Sequence, residues 1–367
     1  MKALVYTGTP QPEVQTKPIP TLEKPDDAII QMVHGTICGS DLHVLQGDVP
    51  SVSPGRTLGH EGVGRIVELG PAIPRNRLSI GDMVLVACIT SCGACALCQR
   101  GMRSHCLTGG WQLGHLVDGT QAEYVRVPHA AGSLYVLPAG VDPRAAVTLS
   151  DALPTAMECG ALGTRVTPGS TVVIVGAGPV GLAALLTMSL YSPSRVVVLS
   201  RNETRLEHAR RLGADETINT ATAPERVEAL AAGPGFDAVV EAVGVPETFA
   251  LCQRLVAPGG SIANVGVHGR PVSLELDKLW GRNISITSQL VDTVTIPTLL
   301  RLWKSRRLDP ALLLTHDFHF NDILEAYEQF RNSSRLRMLK LSLSFLEPNK
   351  VGSSELEENE KVHKSKL

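Results

Sequence analysis

The 367-residue chain has no run of about 18 uncharged apolar residues, so no transmembrane span is expected. It also lacks an excess of either charge. Lys and Arg number 34 and Asp and Glu 36, and a formal net charge of −2 offers nothing to nucleic acid or an anionic membrane. Met1-Lys2-Ala3-Leu4-Val5-Tyr6 reads directly as a strand and lacks the layout of a cleavable signal. With no route to an oxidising compartment, the eight cysteines point to metal binding rather than disulfides. What is present is length for two ordinary domains, with 43% hydrophobic and 19% charged residues, the balance of a soluble globular protein.

The texture changes along the chain. The first 150 or so residues are rich in Gly and Pro and carry short β-type runs at 28–33 and 83–86, as in a compact, largely β domain. From 143 to 162 the apolar spacing is helical, and then strands and helices alternate. Strands are expected at 171–175, 195–199 and 236–240, with helices at 179–191 and 203–212. That alternation means a parallel sheet covered on both faces. Beyond about Ser285 the regularity fades and the chain is expected to return to the first domain.

Gly176-Ala177-Gly178-Pro179-Val180-Gly181 follows a strand and opens a helix. The first glycine permits the tight turn, the second lets backbone approach a pyrophosphate, and the third allows close helix–sheet packing. Pro179 suits a first helical turn, and the helix N-terminus offers N–H groups to the phosphates. A dinucleotide site is expected. An NAD site usually ends its second strand on a carboxylate that holds the ribose 2′-OH. Here the tip reads Leu199-Ser200-Arg201-Asn202, with no acid. A hydroxyl and a guanidinium suit a 2′-phosphate instead, with Arg205 one helical turn further on. NADP is therefore the expected cofactor. In the NAD alternative Arg201 is a solvated charge, or Glu203 reaches back.

Cys92, Cys95, Cys98 and Cys106 stand at spacings of three, three and eight. Four thiolates from one loop close a tetrahedron around Zn²⁺ with no open position, which makes the site structural. Gly93 and Gly101 supply the backbone freedom for wrapping. An iron–sulfur cluster would satisfy the same ligand count, but nothing else suggests electron transfer. His105 reads as a surface residue.

Three further fragments carry chemistry: Cys38-Gly39-Ser40-Asp41-Leu42-His43, Gly59-His60-Glu61-Gly62 and Ser150-Asp151. Taken singly each has a bland reading: a buried cysteine, a loop histidine, a helix N-cap aspartate. Together, and in this order with the four-cysteine loop and the glycine loop, they resemble the zinc-containing medium-chain alcohol dehydrogenases. Gly81-Asp82 also fits that family's turn before the cysteine loop. The resemblance spans about residues 1 to 345.

The resemblance implies an α/β protein. A GroES-like, mainly β catalytic domain would occupy 1–152 and a Rossmann, doubly wound parallel-sheet cofactor domain 153–287. Residues 288–346 would return to the catalytic domain, and the polar, charged segment 347–367 would be a flexible tail. It also implies two zinc ions per subunit. Cys38, His60 and Asp151 would hold a catalytic zinc, leaving one position open. Glu61 would stand behind it or act as an exchangeable fourth ligand. Asp at the third position resembles the secondary-alcohol branch. Ser40 would take the substrate proton and pass it on through cofactor hydroxyls or His43; a backbone-bonded His43 is the alternative. Thr155, Val243, Gly266 and Val267 would line the nicotinamide end of the crevice, and Trp111, Leu290 and Val291 the substrate pocket.

The implied reaction is hydride transfer between NADP(H), or less favourably NAD(H), and a small or medium secondary alcohol or carbonyl. A polyol or sugar dehydrogenase of the same superfamily is a second reading, although no convincing set of polar pocket residues is visible. A noncatalytic zinc- and nucleotide-binding protein is a third, but it would be expected to lose a zinc ligand or the Ser40 hydroxyl. The family also implies a homo-oligomer, a tetramer or dimer. Ser365, Lys366 and Leu367 match the address read by the peroxisomal import receptor, so a peroxisome is expected, with the cytoplasm as alternative.

Overall fold

In the second half of the chain, successive valines alternate between two cores. Val172, Ile174, Val196, Val198, Ala238 and Val240 pack into one core with Leu182, Ala183 and Leu185 of the helix Pro179–Ser189. Val173, Val175, Val197, Leu199, Val239 and Ile262 pack into another with Phe249, Cys252 and Leu255 of the helix Pro246–Leu255. A sheet apolar on both faces must be covered on both, which is why these strands are parallel and joined by helices. The computed structural model describes residues 1–346. The expected tail at 347–367, with Ser365, Lys366 and Leu367, lies outside the described residues.

Six parallel strands are ordered Glu216–Asn219, Arg195–Ser200, Thr171–Val175, Phe236–Glu241, Val256–Asn264 and Ser285–Ser288. The order reverses between Thr171–Val175 and Phe236–Glu241. A crevice for a dinucleotide lies beyond the carboxyl ends of strands at such a reversal.

Besides a two-stranded sheet of Lys2–Val5 and Glu13–Thr16, a seven-stranded, mainly antiparallel sheet is present. Its central strand Ala28–Gly35 pairs with Gly62–Leu69, with Tyr124–Val127 and, at its end, with Lys340–Ser344. The last of these comes from the far end of the described chain. Strand Leu314–His319 joins it in parallel, so the segment after Ser288 does return to the first sheet. The fold is α/β, a GroES-like domain joined to a Rossmann domain. No helix among the described residues is long and apolar enough to cross a membrane.

One expected element differs. Residues 143–162 do not form a single helix. Pro143–Ala146 is α-helical, Val147–Leu149 is a 3₁₀ turn, Ala152–Thr155 is a short helix and Ala156–Leu162 is π-helical. The break falls at Asp151, with φ −144° and ψ −63°. Apolar spacing reported that this stretch is buried; it carried no information on the break at Asp151.

Candidate metal centres and cofactor crevice

Cys38 sits at the N-cap of the helix Gly39–Gln46 and closes a reciprocal cap with Asp41. The Cys38 N–H donates to Asp41 Oδ2 at 2.9 Å, which sets the thiol's direction. Asp41 is buried and does more than cap: its Oδ1 lies 3.7 Å from His60 Nδ1. Gln121 Nε2 donates to Asp41 at 3.1 Å, and the Tyr327 hydroxyl donates to Gln121 Oε1 at 2.7 Å. A buried chain of three side chains thus orients the His60 ring from behind.

His60 Nε2 lies 3.4 Å from Asp151 Oδ2, and Cys38 Sγ lies 3.8 Å from the same oxygen. Ligand atoms of Cys38, His60, Glu61 and Asp151 all fall within 4.8 Å of one another. Asp151 does occupy a helix N-cap, but its side chain makes no cap bond. Instead Thr155 Oγ1 and the Cys88 thiol donate to Asp151 Oδ1, at 2.6 and 3.6 Å. Lys340 Nζ donates to Glu61 Oε1 at 2.8 Å, while the buried Glu61 Oε2 has no partner.

The charges describe a site built around a cation. Burial alone would depress His60, yet Asp151, Cys38 and Asp41 around it hold its pKa well above the usual value. Burial likewise favours the neutral form of Asp151, but His60 and Thr155 hold it below the ordinary carboxylate range. A thiol, an imidazole and two carboxylates converging with an orphan oxygen form the mixed S, N, O donor set that Zn²⁺ takes.

Cys92, Cys95, Cys98 and Cys106 also converge, all ligand atoms within 4.8 Å, and all are free thiols. Gly93 and Gly101 adopt φ of +72° and +81°, the left-handed conformation that the wrapping needs. Cys92 Sγ and Cys98 Sγ are 3.9 Å apart. A tetrahedron with metal–sulfur bonds of about 2.3 Å has an edge of about 3.8 Å. Backbone N–H groups of Leu107 and Cys98 draw Cys95 down to about 6, whereas burial pushes Cys98 up to about 12. Four thiolates this close repel unless a dication neutralises them, so the residues fit a closed zinc site.

In the crevice, Gly176 has φ +111°, and a Cβ on Gly181 would stand 1.9 Å from the Gly176 carbonyl. Gly178 is the N-cap of the helix that Pro179 opens, with half-buried Val180 next in its first turn. A Cβ there would meet only Arg205 Nη1, at 3.9 Å. Ser200 is half-buried and its hydroxyl accepts from the Asn202 N–H, while Arg201 is exposed. Arg205 is half-buried, donates to Ser333 Oγ at 3.3 Å, and has no carboxylate partner among the described residues. Val243 and Val267 are exposed at later strand ends beside Gly244 and Gly266.

The expected pocket residues divide. Trp111 and Val291 share an apolar cluster with Cys88, Ile89 and Cys159, next to Asp151 through Cys88. Leu290 points outward and is half exposed. Ser40 Oγ lies 3.5 Å from His60 Nε2. His43 sits further along the same helix, 44% exposed, with its Nδ1 2.8 Å from Asp48. Sequence reasoning missed Gln121, Tyr327 and Lys340, which no local pattern marks. It named Asp41 without a role, although the three-residue offset from Cys38 is a capping-box spacing. Burial raises Cys88 and, to about 12, Cys159, so these two unassigned cysteines serve as protonated apolar wall.

Residues 24–139 match the family model for the alcohol dehydrogenase GroES-like domain, and residues 179–305 that for zinc-binding dehydrogenase. An alcohol dehydrogenase of Cupriavidus necator is 32% identical over 368 residues, covering 94% of this chain and 98% of that protein. The solved structure of zinc dependent alcohol dehydrogenase 2 from Streptococcus pneumonia superposes with a TM-score of 0.89 at 40% identity, covering 96% of this chain and all of that one, 100%. A zinc-binding dehydrogenase from Sinorhizobium meliloti bound to NADP superposes at 0.83, with 27% identity, 94% of this chain and 98% of that one. An alcohol dehydrogenase from E. coli complexed with NADH does so at 0.85, with 27% identity, 94% and 99%.

Proposed function

This chain belongs to the zinc-containing medium-chain alcohol dehydrogenase family, and we propose that within it the protein is an NADP(H)-linked dehydrogenase of small or medium secondary alcohols, working equally as a ketone reductase. The observation that carries the reading is the convergence of Cys38, His60, Glu61 and Asp151 beside an apolar wall. When bound, zinc supplies a Lewis acid for the substrate oxygen and the nicotinamide exchanges the hydride.

The protein's own groups do the rest. Cys38, His60 and Asp151 hold the metal, with Glu61 as its neighbour or exchangeable ligand. Asp41 Oδ1 stands 3.7 Å from His60 Nδ1, on the opposite side of the ring from Nε2, which faces the cluster. Ser40 Oγ, next to His60 Nε2, receives the alcohol proton. His43, engaged with Asp48 at the surface, is the solvent end of that route. Trp111, Val291, Ile89 and Cys159 exclude water and present carbon and sulfur to the substrate. Such a wall suits an alkyl or aryl alcohol; a polyol would leave hydroxyls without partners.

NADP over NAD is supported by the acid-free tip of Arg195–Ser200. Glu203, the carboxylate closest in sequence to that tip, is taken by Arg210 at 2.6 Å and Asn219 at 3.2 Å. Ser200 and Arg201 would hold the 2′-phosphate, with Arg205 beside the Gly178 turn. Two zinc ions per subunit are supported by the two clusters of candidate ligands. A homo-oligomer is supported by the open edge of Ser285–Ser288 and the exposed Leu276, Trp280 and Ile286 around it.

The test is metal content per subunit together with oxidation of small secondary alcohols by NADP and by NAD. Two zinc ions and faster turnover with NADP are expected, with Arg201→Asp moving the preference toward NAD. One zinc ion and no turnover would overturn the reading, and an unchanged cofactor ratio in Arg201→Asp would remove that residue from it.

A further inference from the structure

The four-cysteine loop and the substrate wall are tied by one acid. Asp292 Oδ1 accepts two hydrogen bonds from Ser104, at 2.8 Å from its N–H and 2.6 Å from its hydroxyl. Ser104 lies in the 3₁₀ turn Arg103–His105, immediately before Cys106. The acid and the serine are 188 residues apart and belong to different parts of the chain.

On its other side the segment 289–295 is pinned to the π-helical stretch Ala156–Leu162. The buried Glu158 carboxylate accepts from the N–H groups of Asp292 (2.7 Å), Thr293 (3.0 Å) and Thr295 (2.8 Å) and from the Thr295 hydroxyl (2.7 Å). Gln289 Nε2 donates to the Glu158 carbonyl at 2.7 Å. The turn holds Thr293 at φ +58°, a conformation that a β-branched residue keeps only when its surroundings impose it. A second strut reaches it from the cysteine loop: Arg103 donates to the Tyr135 hydroxyl at 2.9 Å, and that hydroxyl donates to the Thr293 carbonyl at 3.2 Å.

Val291 sits between these anchors, buried in one apolar cluster with Cys88, Ile89 and Cys159, against which Trp111 packs. Trp111 itself leaves the cysteine loop directly after Gly109 and Gly110, so both halves of the wall depend on one loop.

We propose that Asp292 is a positioning residue that sets the width of the substrate pocket, holding Val291 against Trp111 through its paired hydrogen bonds to Ser104 of the four-cysteine loop. The cysteine loop thereby acts on substrate selection as well as on local stability. The inference rests on the proposed alcohol dehydrogenase reading, since it takes the Trp111–Val291 wall as the substrate's.

Ser104→Ala removes the hydroxyl bond and keeps the backbone one, and Asp292→Ala removes both. Asp292→Asn keeps an acceptor and serves as the conservative rescue. For each, KM and kcat are measured with a short and a bulky secondary alcohol. Hydrogen exchange of the peptide covering residues 289–296 is followed in the zinc-loaded protein. The expected result is a change of about tenfold in the ratio of the two KM values in Asp292→Ala, less in the other two variants, with kcat within about twofold. Exchange at 289–296 accelerates while that at 171–241 does not, and zinc content stays at the wild-type level. A fall in thermal midpoint with unchanged KM ratio and unchanged exchange makes the contact a mere strut and overturns the proposal. If the wild-type protein oxidises no alcohol, the functional reading fails instead. The exchange measurement then still decides whether Ser104 and Asp292 hold the segment: unchanged exchange overturns that hold, and accelerated exchange supports it.

Discussion

Lys340 donates to Glu61 at 2.8 Å with 3% and 1% of their side chains exposed, joining the strand Lys340–Ser344 to the cluster of candidate metal ligands built by the first 151 residues. Burial alone would depress the Lys340 pKa, yet Glu61, Cys38 and Asp151 keep it above the usual value. Removing one partner of such a pair leaves a buried uncompensated charge, at a cost of about 3–5 kcal/mol. Lys340→Met is expected to lower the thermal midpoint sharply, and adding Glu61→Gln to recover part of the loss. A Lys340→Met protein as stable as wild type would refute the coupling.

Asp151→Ala should cost the protein the metal held by Cys38 and His60 while leaving that held by the four cysteines. Zinc per subunit, read by atomic emission, falls by half, and circular dichroism stays at its wild-type shape. Wild-type zinc content in the variant would show that Asp151 is not a ligand.

Gly181→Ala brings a methyl group to 1.9 Å from the Gly176 carbonyl, so the glycine turn must open. Because that turn is the proposed phosphate cradle, NADPH binding measured by fluorescence titration is expected to weaken at least about tenfold. Gly213→Ala makes a useful control: its φ of +97° strains the added side chain, but the new methyl group meets no atom within 4 Å. Equal cofactor affinity in both variants would mean that the turn does not cradle the phosphates.

Asp118 gives a pH prediction. Burial by itself would raise its carboxyl, but Lys17, the Thr57 N–H at 2.9 Å and Arg56 hold it below the ordinary value. A carboxyl whose folded pKa lies below its unfolded one stabilises at neutral pH. That contribution is lost as pH falls through the folded value. Asp118→Asn should therefore lower the thermal midpoint near pH 7 and lower it less near pH 3. An equal drop at both values would assign the effect to packing rather than charge.

Much of the site was legible because its elements are local. The cysteine spacings, the glycine turn and the acid-free tip at Ser200-Arg201 each lie within a dozen or so residues, where backbone geometry alone brings the groups together. The helix expected at 143–162 failed for the complementary reason. Every residue from Ala156 to Ala161 is buried, so an apolar period is present, but the backbone there is π-helical and broken at Asp151. Burial dictates which side chains are apolar and leaves the hydrogen-bond spacing of the backbone open.

By itself the sequence determined which donors were available, Cys38, His60, Glu61, Asp151 and the four loop cysteines, because metal affinity belongs to the ligand atoms. It also determined the order of strands and helices, because both faces of a parallel sheet must be covered. Only the tertiary structure decided what stands behind those donors: Asp41, Gln121 and Tyr327 behind His60, Lys340 behind Glu61, and Ser104 beside Asp292. These hydrogen bonds join residues 80 to 279 positions apart. Long-range packing sets such contacts, and no local period or spacing records them.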